Sequence, residues 1–236
     1  MENNFNKRAI IVGATSGIGK EMALYFANHG WSVAVLGRRK KALDELSQQN
    51  KNILTYEFDV DRVDTLDKRL NEIANDLGGL DLLVASAGVG FLNSELDFSM
   101  EQQTVKTNIE GFTRLIGWGY NFFKQKGNGH IAAITSVQGL MAGGFSYSAS
   151  KAYQINYMKT MRMLAKKECF DLVVTDIRPG SVDTDMMKGK GHFWISTPEY
   201  AARLSCKAIL KKKKVQYVSR RWVFIGALLK ILSLRG

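Results

Sequence analysis

The chain has 236 residues, of which 45% are hydrophobic and 23% are charged, and it contains two cysteines and three histidines. This composition excludes a disordered chain, a collagen-like repeat and a disulfide-stabilised scaffold, and it predicts no metal site. The net charge is +11, but ten basic residues and no acidic residue follow position 202, so the preceding chain is almost neutral. The charge therefore indicates a local basic feature and disfavours nucleic-acid binding.

The sequence shows no segment that predicts membrane insertion or secretion. It lacks a run of about 18 apolar residues, and its N-terminus lacks the apolar core of a signal peptide. We therefore expect a cytoplasmic protein in a reducing environment. Cys169 and Cys206 lie on separate helical patterns, and we interpret both as small buried apolar residues.

Apolar runs alternate with helical patterns from one end of the chain to the other. Between the runs, apolar side chains recur at helical spacing, as at Ile18, Met22 and Phe26, and a later helix starts near Ser146. This order is typical of an α/β fold with a Rossmann-type, doubly wound parallel sheet in a single domain. We assign residues 1–218 to this domain and residues 219–236 to a basic amphipathic C-terminal segment. The runs that predict buried strands are 9–12, 31–36, 53–58, 80–85, 131–135, 172–177 and 215–218.

The first strand ends in a glycine-rich turn that leads directly into a helix. Glycines let the backbone approach a pyrophosphate, and the helix N-terminus offers free N–H groups to that anion. A plain tight turn is the alternative, but the position between strand and helix favours a dinucleotide site. The candidate contacts are Gly13, Ser16, Gly17, Ile18 and Gly19.

The spacing Gly13-x3-Gly17-x-Gly19 resembles the cofactor fingerprint of the classical short-chain dehydrogenase/reductase family. Further motifs follow in the family's order up to about residue 200. The sequence departs from the family pattern at Val12, where a threonine is usual, and at Ser86, where an asparagine is usual. The resemblance implies hydride transfer between a nicotinamide cofactor and a carbonyl compound or a secondary alcohol.

The second strand is followed by Arg38, Arg39, Lys40 and Lys41. A site for NAD places a carboxylate here to hold the ribose 2′-hydroxyl, whereas a guanidinium matches the 2′-phosphate of NADP. We therefore predict NADP(H), with Arg38 as the main contact and Arg39 as a secondary one; the resemblance implies that Ser16 assists. Lys40 and Lys41 are also consistent with a solvated helix start.

The resemblance implies further cofactor contacts where later strands end. Asp59 and Val60 follow the third strand, and Asp59 would accept a hydrogen bond from the adenine amino group; as a bare pattern, it is a helix cap. Ala87 and Gly88 follow the fourth strand and would let the backbone pass close to the cofactor. The segment after the sixth strand would meet the nicotinamide carboxamide through Pro179, Gly180, Val182 and Thr184.

Tyr147 and Lys151 lie four residues apart, so a helix places them on one face. A nearby ammonium lowers the pKa of a phenol from about 10, which suits a general acid in reduction or a base in oxidation. Tyr120 and Lys124 have the same spacing, but only Tyr147 follows a strand end, where open α/β sheets bind ligands. We interpret Tyr120 and Lys124 as surface or packing residues.

Two other catalytic positions are implied by the resemblance. Ser136, after the fifth strand, would hydrogen-bond the substrate carbonyl, and Asn108 would organise a water that relays protons to Lys151, which also holds the ribose. Without the resemblance, Asn108 predicts a solvent-facing residue or a helix bend. Only ten residues separate Ser136 from Tyr147, so we expect a short loop and an altered substrate pocket.

Apolar residues near these motifs predict an apolar substrate, although an ordinary surface loop is equally consistent with residues 186–194. The basic C-terminal segment predicts packing against another subunit or over the pocket, or docking on an anionic membrane. We therefore predict a homo-oligomeric, NADP(H)-dependent reductase acting on a small carbonyl or alcohol substrate. The alternative is a catalytically silent NADP(H)-sensing or membrane-scaffolding protein on the same fold. The apolar residues near the motifs, from which we predict an apolar substrate, are Phe91, Leu140, Met141 and Phe145.

Overall fold

A computed structural model describes residues 7–184 and 194–218. Seven parallel strands form one sheet in the order β3-β2-β1-β4-β5-β6-β7. The strands are β1 (Arg8–Val12), β2 (Ser32–Gly37), β3 (Ile53–Glu57), β4 (Leu82–Ala85), β5 (Asn128–Ile134), β6 (Asp171–Pro179) and β7 (Val215–Val218). The helices are α1 (Gly17–Asn28), α2 (Lys40–Gln49), α3 (Val63–Asp76), α4 (Phe98–Val105), α5 (Phe112–Lys126), α6 (Phe145–Lys167) and α7 (Pro198–Leu210). The predicted doubly wound sheet and single domain are confirmed.

Helices cover both faces of the sheet, which explains why its strands are apolar throughout. Alternate residues of β1 enter different cores: Ile10 packs with α3, α5 and α6, whereas Ile11 packs with α1, α2 and α7. Because successive strand residues point to opposite faces, a strand covered on both sides needs an apolar residue at nearly every position. The continuous apolar runs in the sequence therefore predict this arrangement.

The strand order reverses between β1 and β4. From β1 the chain adds β2 and β3 on one side, and it then returns to place β4, β5, β6 and β7 on the other side. Val12 and Ala85, at the ends of β1 and β4, are partners in the sheet register. The connections leaving these two strand ends diverge to opposite sides, which opens a crevice where such sheets bind ligands.

The two cysteines lie in different environments. Cys206 is buried in α7, as predicted, but Cys169 is exposed. The prediction was wrong for Cys169 because α6 ends at Lys167 and the chain then turns, with a φ of 56° at Cys169 itself. The prediction extended the helical pattern past the end of α6 and so placed Cys169 on a buried helix face. The residue lies instead in the turn that follows the helix.

Some sequence predictions fall outside the described residues. The segment 185–193 and the basic C-terminal segment 219–236 belong to this group, so membrane docking and subunit packing by the latter stay predictions. In the described ranges, no helix combines the length and the apolar character needed to cross a membrane.

Phe123 tests the packing of α5 against the sheet. Its side chain is fully buried, and its ring occupies the space where a side chain at Gly129 of β5 would lie. We expect Phe123→Ala to lower the free energy of unfolding by about 3–5 kcal/mol, because it removes buried surface and leaves a cavity. Phe98→Ala is the matched control, since Phe98 is 74% exposed. Urea unfolding measures both variants, and equal losses would contradict this packing.

Candidate active site

The glycine-rich turn joins β1 to α1 at the crevice. Gly13 has a φ of +84°, and a Cβ there would lie 2.3 Å from the backbone nitrogen of Ala87, so only glycine fits. Ser16 is the N-cap residue of α1, and among the described residues its side chain receives no cap bond from the helix. The first N–H groups of α1 are thus available to an anion, which fits a cofactor pyrophosphate.

Arg39 lies over this turn. Its guanidinium donates hydrogen bonds to the hydroxyls of Ser16 and Thr15, the latter at 3.0 and 3.1 Å. Arg38 is exposed beside it at the end of β2. The structure therefore places Arg39, ranked second in the sequence analysis, directly next to the predicted phosphate site, and both cations lie on the same side of the crevice.

Asp59 shapes the turn after β3. Its Oδ1 accepts a hydrogen bond from the N–H of Asp61 at 3.1 Å, and its carbonyl accepts one from Arg62. Helix α3 begins at Val63 with Arg62 at the N-cap, so the interpretation of Asp59 as a plain helix cap was wrong. Val60 is buried against the backbone of Gly111. Asp59 keeps partial exposure at the crevice, as an adenine contact requires.

The segments after β4 and β6 close the crevice around the turn. Ser86 donates its N–H to the Val12 carbonyl at 2.8 Å, so a backbone bond joins these strand ends despite both departures from the family pattern. Ala87 follows at once and adjoins Gly13, and a Cβ at Gly88 would lie 3.3 Å from Asn108 Oδ1 and 3.5 Å from Lys151 Nζ. Beyond Pro179 and Gly180, the Thr184 methyl group would lie 3.1 Å from a Cβ at Gly17, and its hydroxyl donates to the Val182 carbonyl. The predicted cofactor contacts thus follow the ends of five strands, β1, β2, β3, β4 and β6.

Helix α6 brings Tyr147 and Lys151 to the same crevice. Lys151 Nζ lies 5.7 Å from the centre of the Tyr147 ring. Ser136, at the end of β5, is near enough to the Tyr147 hydroxyl to lower the pKa of the phenol. The ring packs on Gly90, where a Cβ would lie 2.7 Å from it. Three of the predicted catalytic residues therefore share one site.

Asn108 joins them through a π-helical turn at Lys106–Gly111, between α4 and α5. The residue is fully buried, so the alternative of a solvent-facing side chain is wrong. Its Oδ1 accepts from the N–H of Val89 at 2.9 Å, and its Nδ2 donates to the Val89 carbonyl and to Ser150 Oγ. Asn108 thereby holds the loop after β4 against α6. π-Helical turns are frequent at functional sites.

The Lys151 ammonium is almost completely buried, with 3% exposure. It donates to the Ile134 carbonyl at 3.2 Å and to Gln154 Oε1 at 2.9 Å. Burial lowers the pKa of Lys151 to about 8, although the Asp176 carboxylate acts in the opposite direction. Burial raises the pKa of Tyr147, and the hydrogen bond with Ser136 partly offsets that rise. At neutral pH the lysine is therefore mostly charged, and the phenol keeps its proton for donation.

A buried network supports the strand ends beneath Ser136. The Thr135 hydroxyl donates to Asp176 at 2.6 Å, and Asp176 pairs with Arg178 at 2.6 Å. Arg178 in turn donates to the Tyr217 hydroxyl at 3.0 Å. Three adjacent strands, β5, β6 and β7, are thus joined at the edge of the sheet that carries Ser136, the predicted catalytic serine.

Two functional candidates were missed by the sequence analysis. Glu101 accepts from the Ser146 N–H at 3.0 Å and from Asn93 Nδ2 at 2.6 Å, so it binds the first turn of the catalytic helix from α4. Gln154 contacts Lys151 and the Asn108 carbonyl. Its spacing, three residues after Lys151 and seven after Tyr147, could have indicated it. Glu101 has no such signal, because its contact crosses two elements.

Tyr120 and Lys124 lie away from this site, as predicted. Tyr120 is buried and donates to Glu168, and Lys124 forms an ion pair with the same carboxylate at 3.0 Å. This tyrosine and lysine therefore join α5 to the end of α6. In the described ranges, no three His, Cys, Asp or Glu side chains gather in a way that could hold a metal ion.

A pyrophosphate turn next to a tyrosine and a buried lysine, at the carboxyl ends of parallel strands, defines a nicotinamide-dependent oxidoreductase site. The family model described as short chain dehydrogenase matches residues 7–193. The chain belongs to the short-chain dehydrogenase/reductase family of oxidoreductases, which use a nicotinamide cofactor.

Individual relatives agree with this assignment. An uncharacterized oxidoreductase of Myxococcus xanthus is 30% identical over 188 residues, which cover 76% of this chain and 74% of that protein. The 11-beta-hydroxysteroid dehydrogenase 1A of Arabidopsis thaliana is 29% identical over 80% of this chain, which matches 56% of the plant protein. Among solved structures, a 3-ketoacyl-(acyl-carrier-protein) reductase from Brucella melitensis, complexed with NADH, has a TM-score of 0.79 at 21% identity. That match covers 90% of this chain and 96% of the Brucella chain.

The charge of Lys151 predicts the pH dependence of carbonyl reduction. We expect kcat/KM to be constant in the neutral range and to fall as pH rises through about 8, because Lys151 then loses the proton that it holds at lower pH. Lys151→Met should abolish most activity, whereas Lys124→Met, in the other tyrosine–lysine pair, should keep both activity and profile. A wild-type profile that stays flat to pH 10 would contradict this assignment.

Proposed function

We propose that this protein is an NADP(H)-dependent oxidoreductase that transfers a hydride between the nicotinamide and an apolar carbonyl or secondary alcohol substrate. The observation that carries the proposal is the convergence of Tyr147, Lys151 and Ser136 at the crevice between β1 and β4. When bound, the nicotinamide would supply or accept the hydride. The other steps fall to the protein's own side chains.

In reduction, the Tyr147 hydroxyl gives its proton to the carbonyl oxygen of the substrate. The Ser136 hydroxyl donates a hydrogen bond to that oxygen and keeps it beside Tyr147. The Lys151 ammonium favours the phenolate that remains, because an opposite charge nearby lowers the pKa of the phenol. In oxidation the phenolate removes the proton of the alcohol. Asn108 positions these groups by holding the loop after β4 against α6.

The walls of the site support an apolar substrate. Phe91 follows Gly90, which contacts the Tyr147 ring, and Phe145 precedes Tyr147 by two residues. Phe91 is 37% exposed and Phe145 is 44% exposed, so apolar surface lies next to Gly90 and to Tyr147 along the chain, and Met141 is a further exposed apolar residue at 37%. The names of the Arabidopsis hydroxysteroid dehydrogenase and of the Brucella 3-ketoacyl-(acyl-carrier-protein) reductase are consistent with carbonyl or alcohol chemistry on such a substrate. The expected homo-oligomer and cytoplasmic location stay predictions.

The cations after β2 support NADP(H) over NAD(H). Arg39 lies against Ser16, Arg38 is exposed next to it, and the sequence Gly37-Arg38-Arg39 places no carboxylate at the strand end. A guanidinium binds a phosphate through two parallel hydrogen bonds. The Brucella neighbour was solved with NADH, so the choice between the two cofactors needs a direct test.

Tyr147→Phe tests the reaction. Turnover is followed as NADPH oxidation, with NADH in parallel, against aldehydes, ketones and 3-oxoacyl thioesters. We expect the variant to lose activity by about 10²–10⁴-fold, because it removes the proton donor and keeps the ring. Tyr120→Phe is the matched control, and it should keep full activity while losing about 0.5–1.5 kcal/mol of stability with the Glu168 bond.

Two outcomes would contradict the proposal. Equal activity in Tyr147→Phe and the wild type would remove Tyr147 from the chemistry. Tight NADPH binding without turnover across the whole panel would favour the cofactor-sensing alternative.

Arg38→Ala and Arg39→Ala test the cofactor preference. We expect each variant to raise the KM for NADPH by about 10–100-fold, because a charge-assisted hydrogen bond to phosphate is worth about 1.5–3 kcal/mol. The KM for NADH should stay unchanged, since NADH lacks the phosphate. Lys41→Ala, an exposed cation of α2, is the control and should change neither value. A wild-type preference for NADH would overturn the prediction of NADP(H).

A further inference from the structure

The side-chain amide of Gln154 lies between two parts of the site. Gln154 is 1% exposed on α6. Its Oε1 accepts a hydrogen bond from Lys151 Nζ at 2.9 Å, and its Nε2 donates to the backbone carbonyl of Asn108 at 2.8 Å. The amide therefore joins the ammonium to the carbonyl, the connection for which the family resemblance implies a water.

We propose that Gln154 is a positioning residue that replaces this water by a fixed link between the Asn108 carbonyl and the Lys151 ammonium. The inference rests on the proposed function, because it concerns the lysine that assists Tyr147. Gln154 acts through Lys151 and takes no part in the reaction as an acid or a base.

An amide link differs chemically from a water. A water accepts and donates hydrogen bonds and exchanges its protons quickly, whereas the amide N–H keeps its proton at neutral pH. The link therefore holds the ammonium in place without relaying protons from the Asn108 side. An ammonium has three N–H groups, and the Ile134 carbonyl and Gln154 bind two of them. One N–H is left for another partner, and the centre of the Tyr147 ring lies 5.7 Å from Nζ.

Gln154 also influences the charge state of Lys151. The groups around the ammonium are Tyr147 on α6, Asp176 on β6 with its partner Arg178, and the Ile134 carbonyl on β5. Asn108 on the π-helical turn is linked to it through Gln154, and its Oδ1 and Lys151 Nζ both lie near Gly88. Gln154 donates none of its protons to Lys151 and only accepts, which stabilises the charged form. Removing this acceptor should make the ammonium lose its proton at lower pH, and a carboxylate at the same position should retain it to higher pH.

Gln154→Met and Gln154→Glu in the full chain separate this role from packing. Both side chains are close to glutamine in size, but methionine lacks the two hydrogen bonds and glutamate adds a negative charge. We expect the alkaline limb of kcat/KM for reduction to move by about one pH unit, downward in the Met variant and upward in the Glu variant. Gln102→Met, at an exposed position of α4, is the control and should leave the limb in place.

A second measurement does not need turnover. The charge of Lys151 is followed directly by the ¹⁵N resonance of its Nζ, which is assigned by its loss in the same protein carrying Lys151→Met. Its titration should lie at higher pH in the Glu variant and at lower pH in the Met variant, because a carboxylate favours the ammonium and the loss of the acceptor disfavours it.

The outcomes distinguish this inference from the proposed function. If the alkaline limb and the Lys151 titration move in the same direction in both variants, or do not move, the role of Gln154 is overturned even if activity falls. Opposite shifts of the Lys151 titration in a protein that turns over no substrate would support Gln154 and contradict the proposed reaction. Circular dichroism of each variant confirms that the compared proteins are folded.

Discussion

The buried ammonium of Lys151 is the constraint on which the site depends. Removing a charge from water is costly unless hydrogen bonds replace the water, and Lys151 finds its acceptors on two different elements, β5 and α6. The bond to the Ile134 carbonyl fixes the position of α6 along the sheet edge. Because Tyr147 lies one helical turn before Lys151, the same bond places the phenol beside Ser136, which follows β5.

The surroundings of this lysine are held by further contacts that cross elements. Asn108 joins the π-helical turn to the loop after β4, and its carbonyl receives the amide of Gln154. Glu101 binds the first turn of α6 from α4. Together these bonds make α6 a rigid support for Tyr147. A proton donor needs such rigidity, since general acid catalysis depends on the distance to the reacting atom.

The topology of the sheet divides the work between its two halves. The turn after β1 and the cations after β2, which are the predicted phosphate contacts, lie on one side of the reversal in strand order. The predicted catalytic residues follow β4, β5 and β6 on the other side. The crevice follows from the connections that diverge there, so a cofactor that spans it brings its nicotinamide from the phosphate side toward Tyr147.

The sequence by itself determined the strand runs, the glycine turn and the position of Tyr147, unlike Tyr120, near a strand end. Each of these rests on a local pattern: burial on two faces, a tight turn and helical spacing after a strand end. It was wrong about Cys169, since periodicity does not show where α6 stops. Only the tertiary structure decided that Arg39 lies over the turn and that Gln154 and Glu101 support the catalytic helix. These contacts join residues that approach each other only after the elements pack, or depend on which way a side chain points, and neither is encoded in spacing along the chain.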